Sequence, residues 1–211
     1  MKLRSNIKEF LSTLPQDVTL VAATKYVDAV EMKKMYEVGI KNFGENRVED
    51  FLIKYNELKD LKNIKWHFIG HLQRNKARDV INKIDYLHSL DSLKLAREVE
   101  KYRETPLDVF VEVSVNLEES KNGVPLYEAI DFIDALRHFS KIHVVGLMMM
   151  TIKDSDNKRD QFAKLYNLKQ EIENQLHIEI PYLSMGMSDD YKDALLEHAT
   201  HIRLGRILYK D

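Results

Sequence analysis

The chain has 211 residues, 44% hydrophobic and 31% charged, which is enough for one large buried core. A formal net charge of -2 gives no electrostatic case for nucleic acid or an anionic membrane surface, and zero cysteines exclude disulfides, thiolate zinc sites and thiol nucleophiles. The opening MKLRSNIKEFLSTL is too interrupted by charge for a signal peptide, and no apolar run approaches membrane-spanning length, so a soluble cytoplasmic protein is expected.

The amphipathic segment Ile7, Phe10, Leu11, Leu14 comes first. Apolar, β-branched runs then recur near 18–24, 40–43, 64–69, 84–90, 107–115, 142–150, 181–185 and 201–205. Helical stripes lie between them, such as Leu126, Ile130, Ile133, Leu136 and Phe162, Leu165, Leu168, Ile172. Asp28 with Glu31 reads as a capping pair opening the first crossover helix. Strand–helix alternation implies parallel strands with right-handed crossovers, and eight strands close a TIM (β/α)8 barrel. The chain is compact against the roughly 250 residues usual for that fold, and a doubly wound open sheet is the competing architecture. Only Ile207 to Asp211 follow the eighth run, too few for a helix, so the amino-terminal amphipathic segment is expected to cover that gap. Few glycines and prolines and no linker-like stretch predict one domain over 1–211.

Barrels keep their chemistry at the carboxyl ends of the strands. Lys25 closes the first run, Thr19-Leu-Val-Ala-Ala-Thr24, although most lysines in so charged a chain are surface residues. Two glycine-bearing strand ends, Ser184-Met-Gly186-Met-Ser188 and Arg203-Leu-Gly205-Arg206, stand where barrels bind phosphate with backbone N–H groups, unless they are ordinary tight turns. The helix after Ser188 could aim its N-terminus at an anion. An amine on one side and a phosphate cradle on the other point to pyridoxal phosphate (PLP) held as a lysine imine. Asn46, after the second strand, faces the pocket and bonds a ring hydroxyl or merely caps the next helix. Met148, with Met149 and Met150, fills the barrel or walls a flat ring. His67 and His71 are four apart across a strand–loop junction without an evident carboxylate partner, so no metal site is expected.

The ordered motifs Ala23-Thr-Lys25, Phe43-Gly-Glu-Asn46, the 67–76 stretch, Ser120-Lys121-x-Gly123, Gly146-Leu-Met148 and Ser184-Met-Gly-Met-Ser-Asp189 carry a resemblance over nearly the whole chain. The chain resembles the YggS/PROSC family of PLP homeostasis proteins, whose fold-type III barrel is similar to the amino-terminal domain of alanine racemase. The resemblance implies that Lys25 is the imine lysine and that Asn46 sits near the ring. It further implies that Ser184, Ser188 and Gly205 help hold the phosphate, and that Arg203 faces the pyridine nitrogen. Arg206 stands where the family usually has a small hydroxylated residue, and replaces that contact with charge or points away. The implied function is storage, buffering or delivery of PLP, with PLP-dependent apo-enzymes as candidate partners, a monomeric state and no dedicated catalysis. A PLP-dependent amino-acid racemase and a phosphate-binding barrel enzyme without PLP are the alternatives.

Overall fold

The structure, a computed structural model, describes residues 2–115, 122–152 and 155–209. All eight expected runs form strands: β1 (Thr19–Ala23), β2 (Asn42–Glu45), β3 (Lys65–Phe68) and β4 (Tyr86–Leu90) in the first half. β5 (Leu107–Ser114), β6 (Ile142–Met148), β7 (Tyr182–Ser184) and β8 (His201–Leu204) make the second. Every barrel pairing is parallel, and β1 pairs with both β2 and β8, Thr19 lying opposite His201 and Val21 opposite Arg203. The ring is therefore closed, a TIM barrel and not an open sheet. A two-residue strand, Val124–Pro125, extends the end of β5.

Helices wrap this ring: α1 (Ile7–Ser12), α2 (Ala29–Glu37), α3 (Val48–Leu58), α4 (Ala77–Val80), α5 (Leu93–Tyr102), α6 (Ala129–Leu136), α7 (Lys158–Leu176) and α8 (Tyr191–Leu196). Half of the expected capping pair forms at α2. The Asp28 carboxylate accepts from the Glu31 N–H at 2.9 Å, whereas the Glu31 carboxylate turns to Lys34 and the Leu3 N–H. As expected, α1 covers the region after β8. Ile7 and Phe10 are buried, Phe10 stands edge-on to Tyr191 of α8, and the Arg4 N–H donates to the Leu208 carbonyl at 3.0 Å. Among the described residues no helix is long and apolar enough to cross a membrane.

The period-two alternation of a strand sorts its side chains into two environments. One set, including Phe43, Phe68, Leu87, Val109, Val111, Leu183 and Ile202, joins Met32, Phe51, Leu95, Ile133 and Phe162 of the helices in one continuous apolar core. The other set faces the lumen, where Phe110, Val145 and Met148 form a separate small cluster against Tyr86. The main core thus sits between strands and helices, which leaves the lumen free to be polar.

Candidate functional site

Strand order brings the candidate residues together. Around the barrel the staves run β6, β7, β8, β1, β2. Their carboxyl ends carry Met148, then Ser184 leading to Gly186 and Ser188, then Arg203 and Gly205, then Lys25, then Asn46. All nine sequence-predicted positions, Arg206 included, therefore lie on five consecutive strand ends at one mouth of the barrel.

Lys25 is exposed, with its amine 4.8 Å from the centre of the Tyr26 ring. It borders a cleft of about 360 Å³ shared with Asp28, Asp50, Lys54 and Glu57. Behind it is a buried ion pair: the Lys54 ammonium donates to the Glu45 carboxylate at 2.6 Å and to the Thr24 carbonyl at 2.8 Å. Asn46 does not cap α3. Arg47 is that helix's first flanking residue and makes no side-chain cap, and the Asn46 Oδ1 atom is buried without a hydrogen-bond partner. A buried acceptor left unpaired is costly, so this one awaits a donor. Gly70 lets the Asn46 peptide pack against its backbone, since a Cβ there would lie 2.3 Å from the Asn46 carbonyl oxygen.

On the other side of Lys25, Gly186 adopts φ +90°, and its backbone packs so closely on α8 that a Cβ would sit 2.6 Å from the Ala194 Cβ. Glycine is required there on both counts. The N–H groups of Gly205 and Ile207 converge on the Ser188 hydroxyl at 3.3 and 3.4 Å, long contacts that leave both donors weakly used. The six-residue helix α8 is less open to an anion than expected. Asp190 at its start already accepts from the Met187 N–H and from Thr151. The Arg206 guanidinium pairs with Asp189 on the surface, so its side chain is directed at a carboxylate.

The lumen below the mouth holds a chain of hydrogen bonds that the sequence reading missed. Buried Arg203 donates to the Ser184 carbonyl and hydroxyl, each at 2.7 Å, and to the Met149 carbonyl at 2.8 Å. The Ser184 hydroxyl is thus engaged with Arg203 and is not free in a phosphate cradle. It also meets His88 Nδ1 at 2.8 Å, His88 Nε2 meets His67 Nδ1 at 2.9 Å, and His67 Nε2 meets Asn42 Oδ1 at 3.0 Å. With Ser184 accepting from Arg203, every bond is satisfied if donors run in one direction and both imidazoles are neutral. Burial enforces that neutrality, pushing the pKa values of His67 and His88 well below the usual histidine value. Burial, then the charge of Arg203, pushes His201 down to about 4. Arg203 itself is pushed down to about 10 by burial and stays cationic at neutral pH. Glu112, on the lumenal register of β5, is pushed up to about 7 by burial and then by Asp91, against the pull of Arg203.

His67 and His71 do not share a site. His67 is in this chain and stacks on Tyr86, while His71 is largely exposed and, against expectation, has a carboxylate neighbour in Asp91 at 3.5 Å. Among the described residues no group of three metal-ligating side chains occurs. Of the motif Ser120-Lys121-x-Gly123, the first two residues lie outside the described residues and Gly123 has φ +96°. A signal for the missed chain was present: Tyr86, His88 and His201, Arg203 are polar pairs two apart, the spacing of one strand face.

Three comparisons bear on this geometry. The family described as alanine racemase, N-terminal domain, matches residues 1–211. A protein of Aquifex aeolicus named pyridoxal phosphate homeostasis protein is 37% identical over 195 residues, 90% of this chain and 85% of its own. A Synechocystis protein of the same name is 36% identical over 209 residues, 96% of this chain and 95% of its own. The solved structure of PipY from Synechococcus elongatus with PLP bound superposes with a TM-score of 0.90 at 30% identity, over 97% of this chain and 100% of that one. An alanine racemase of Clostridium difficile shares the fold, with a TM-score of 0.78 at 16% identity over 58% of its length.

Proposed function

The chain belongs to the alanine racemase N-terminal domain family, and we propose that it binds PLP and serves PLP homeostasis by buffering or delivering the cofactor. The observation that carries this reading is the row of five consecutive strand ends. It sets an amine between an unpaired buried acceptor on one side and weakly used backbone donors on the other. These residues fit PLP: an aldehyde for Lys25, a ring hydroxyl for Asn46 Oδ1, and a phosphate for the N–H groups around Gly186, Ser188 and Gly205. When bound, PLP supplies an aldehyde that condenses reversibly with amines. Met148 would wall the ring. Ser184 holds Arg203, which would face the ring nitrogen. The Arg206 guanidinium is given to Asp189, so the N–H groups of Gly205 and Ile207 on either side of it would serve the phosphate instead.

The carrier reading follows the name of the relatives, while Arg203 bears on how strongly the ring would withdraw electrons. Its guanidinium cannot accept a proton, so it cannot take the part that an aspartate plays in protonating the ring nitrogen of many PLP enzymes. The reading further has one domain over 1–211, a monomer in the cytoplasm, and PLP-dependent apo-enzymes as recipients. The test is borohydride reduction of the yellow protein followed by peptide mapping. A pyridoxyl group on the Lys25 peptide is expected, and one on Lys33, Lys76 or Lys121 instead would refute the site. Incubation with L-alanine in deuterated water tests the carrier role. D-alanine formed at rates on the order of 1 per second, ordinary for enzymes, would overturn it.

A further inference from the structure

We propose that Lys54, with Glu45, is a positioning residue for Lys25, clamping the peptide from which the reactive amine leaves the barrel. The inference rests on the reading that Lys25 carries the cofactor. Lys54 lies on α3, outside the ring, and its side chain reaches the ends of both β1 and β2. Every polar group of Thr24 is engaged there. Its N–H donates to the Gly44 carbonyl at 3.0 Å, its hydroxyl to the Glu45 carboxylate, and its carbonyl accepts from Lys54 at 2.8 Å. Lys25 is the next residue. Glu45 in turn is fully buried and immediately precedes Asn46. One ammonium therefore ties the Thr24 peptide, which presents the amine, to the buried Glu45 carboxylate.

Stability alone does not account for this pair. A buried ion pair is a weak stabiliser, because desolvating both charges offsets their attraction, and apolar residues of similar volume often serve as well or better. The second carboxylate oxygen, Glu45 Oε2, is buried with no hydrogen-bond partner, which makes the arrangement costlier still. What it yields is direction. An unbranched, exposed lysine has large rotamer freedom, and fixing the carbonyl behind it limits where its amine can reach.

The experiment compares wild type with Lys54→Met/Glu45→Leu, which removes the pair without stranding a charge, and with Lys54→Met alone. Two ligands separate positioning from structure: PLP, and pyridoxine 5′-phosphate, which has the ring and phosphate but no aldehyde. The double variant should bind pyridoxine 5′-phosphate as wild type does and lose about tenfold in PLP affinity, the order of one hydrogen bond to a charged group. The fraction of bound PLP trapped on Lys25 by borohydride should fall with it. Equal losses for both ligands would show a merely structural role, and no loss for either would also overturn the proposal. If neither variant folds, the decision passes to lysine-selective NMR on the wild-type protein. The Lys54 ammonium resonance should shift between the PLP-bound and stripped states, and an unchanged resonance would refute the clamp. A wild-type protein with no adduct on Lys25 would instead remove the underlying reading.

Discussion

The two faces of the same eight strands are built on opposite principles. Outside, under the helices, stand Phe43, Phe68, Val109, Val111 and Leu183, interchangeable in kind and packed in one continuous apolar layer. Inside stand His67, His88, Glu112, Ser184, His201 and Arg203, each polar, each buried, most tied to a specific neighbour. Neighbouring residues in sequence therefore answer to different physics. The outer set holds the barrel together by area removed from water. The inner set stabilises little, and its hydrogen bonds specify where one guanidinium points.

The largest effect that would test this division is a cavity in the outer layer. Phe51 is fully buried and packs edge-on against Trp66 at 5.3 Å, so Phe51→Ala should lose about 3–5 kcal/mol in urea unfolding. PLP bound per folded molecule should stay unchanged. Loss of the cofactor at full folding would mean that the layers are not separable. Next comes Glu112→Gln in the lumen. Burial raises the Glu112 pKa from 4.5 to about 7, so ionising it costs stability above pH 7, a cost that fades as pH falls toward 4.5. The variant should gain up to about 3 kcal/mol at pH 8, at 1.36 kcal/mol per pKa unit, and progressively less toward pH 5. A gain that did not change with pH would point to packing.

The histidines give the opposite slope. His67, His88 and His201 have lowered pKa values, so their neutral forms contribute stability that is present above 6.5 and lost as pH falls, through about 4 in the case of His201. Set against Glu112, they should make stability fall by on the order of 2 kcal/mol between pH 6.5 and 5.5. His201→Gln should flatten that slope, and a slope unchanged by it would remove His201 from the account. The smallest expected effect is at the rim. Arg206 and Asp189 form an exposed pair, and Arg206→Ala should change stability by about 0.5 kcal/mol or less. PLP and pyridoxal affinities should both stay near wild type in isothermal titration. A selective loss for PLP would bring the Arg206 side chain back to the phosphate.

The outer layer was legible in the sequence because it has a pattern. Eight β-branched runs, spaced by helical stripes, matched strands to within a few residues, and Lys25, Gly186 and Gly205 stood at their ends. The lumen was legible only in part. Its residues alternate with the apolar ones, so that His67 sits between Trp66 and Phe68 and Glu112 between Val111 and Val113. Within strands that read as hydrophobic runs, these polar members look like interruptions. Nor does any local rule join Ser184 to His88, or Lys54 to Thr24, because each pair meets only after the ring has closed. Register shifts between Leu87 and Leu90 and between Val109 and Phe110 add offsets that no alternation predicts.

The closing seam of the ring, where Thr19 meets His201 and Val21 meets Arg203, joins the first strand to the last. Nearly the whole chain must be made and wound before those pairings can form, and contacts so distant in sequence are slow to reach. Lys25 stands on one lip of the seam, and Arg203 and Gly205 stand on the other. A chain with seven strands in place would have a core, Lys25 and the Ser184–Ser188 turn, but not the Gly205 strand end whose N–H meets Ser188. At the proposed site, a complete phosphate cradle would therefore form only when the ring closes. PLP should slow unfolding by binding only the closed ring, and newly made protein should become yellow no earlier than its last strand docks.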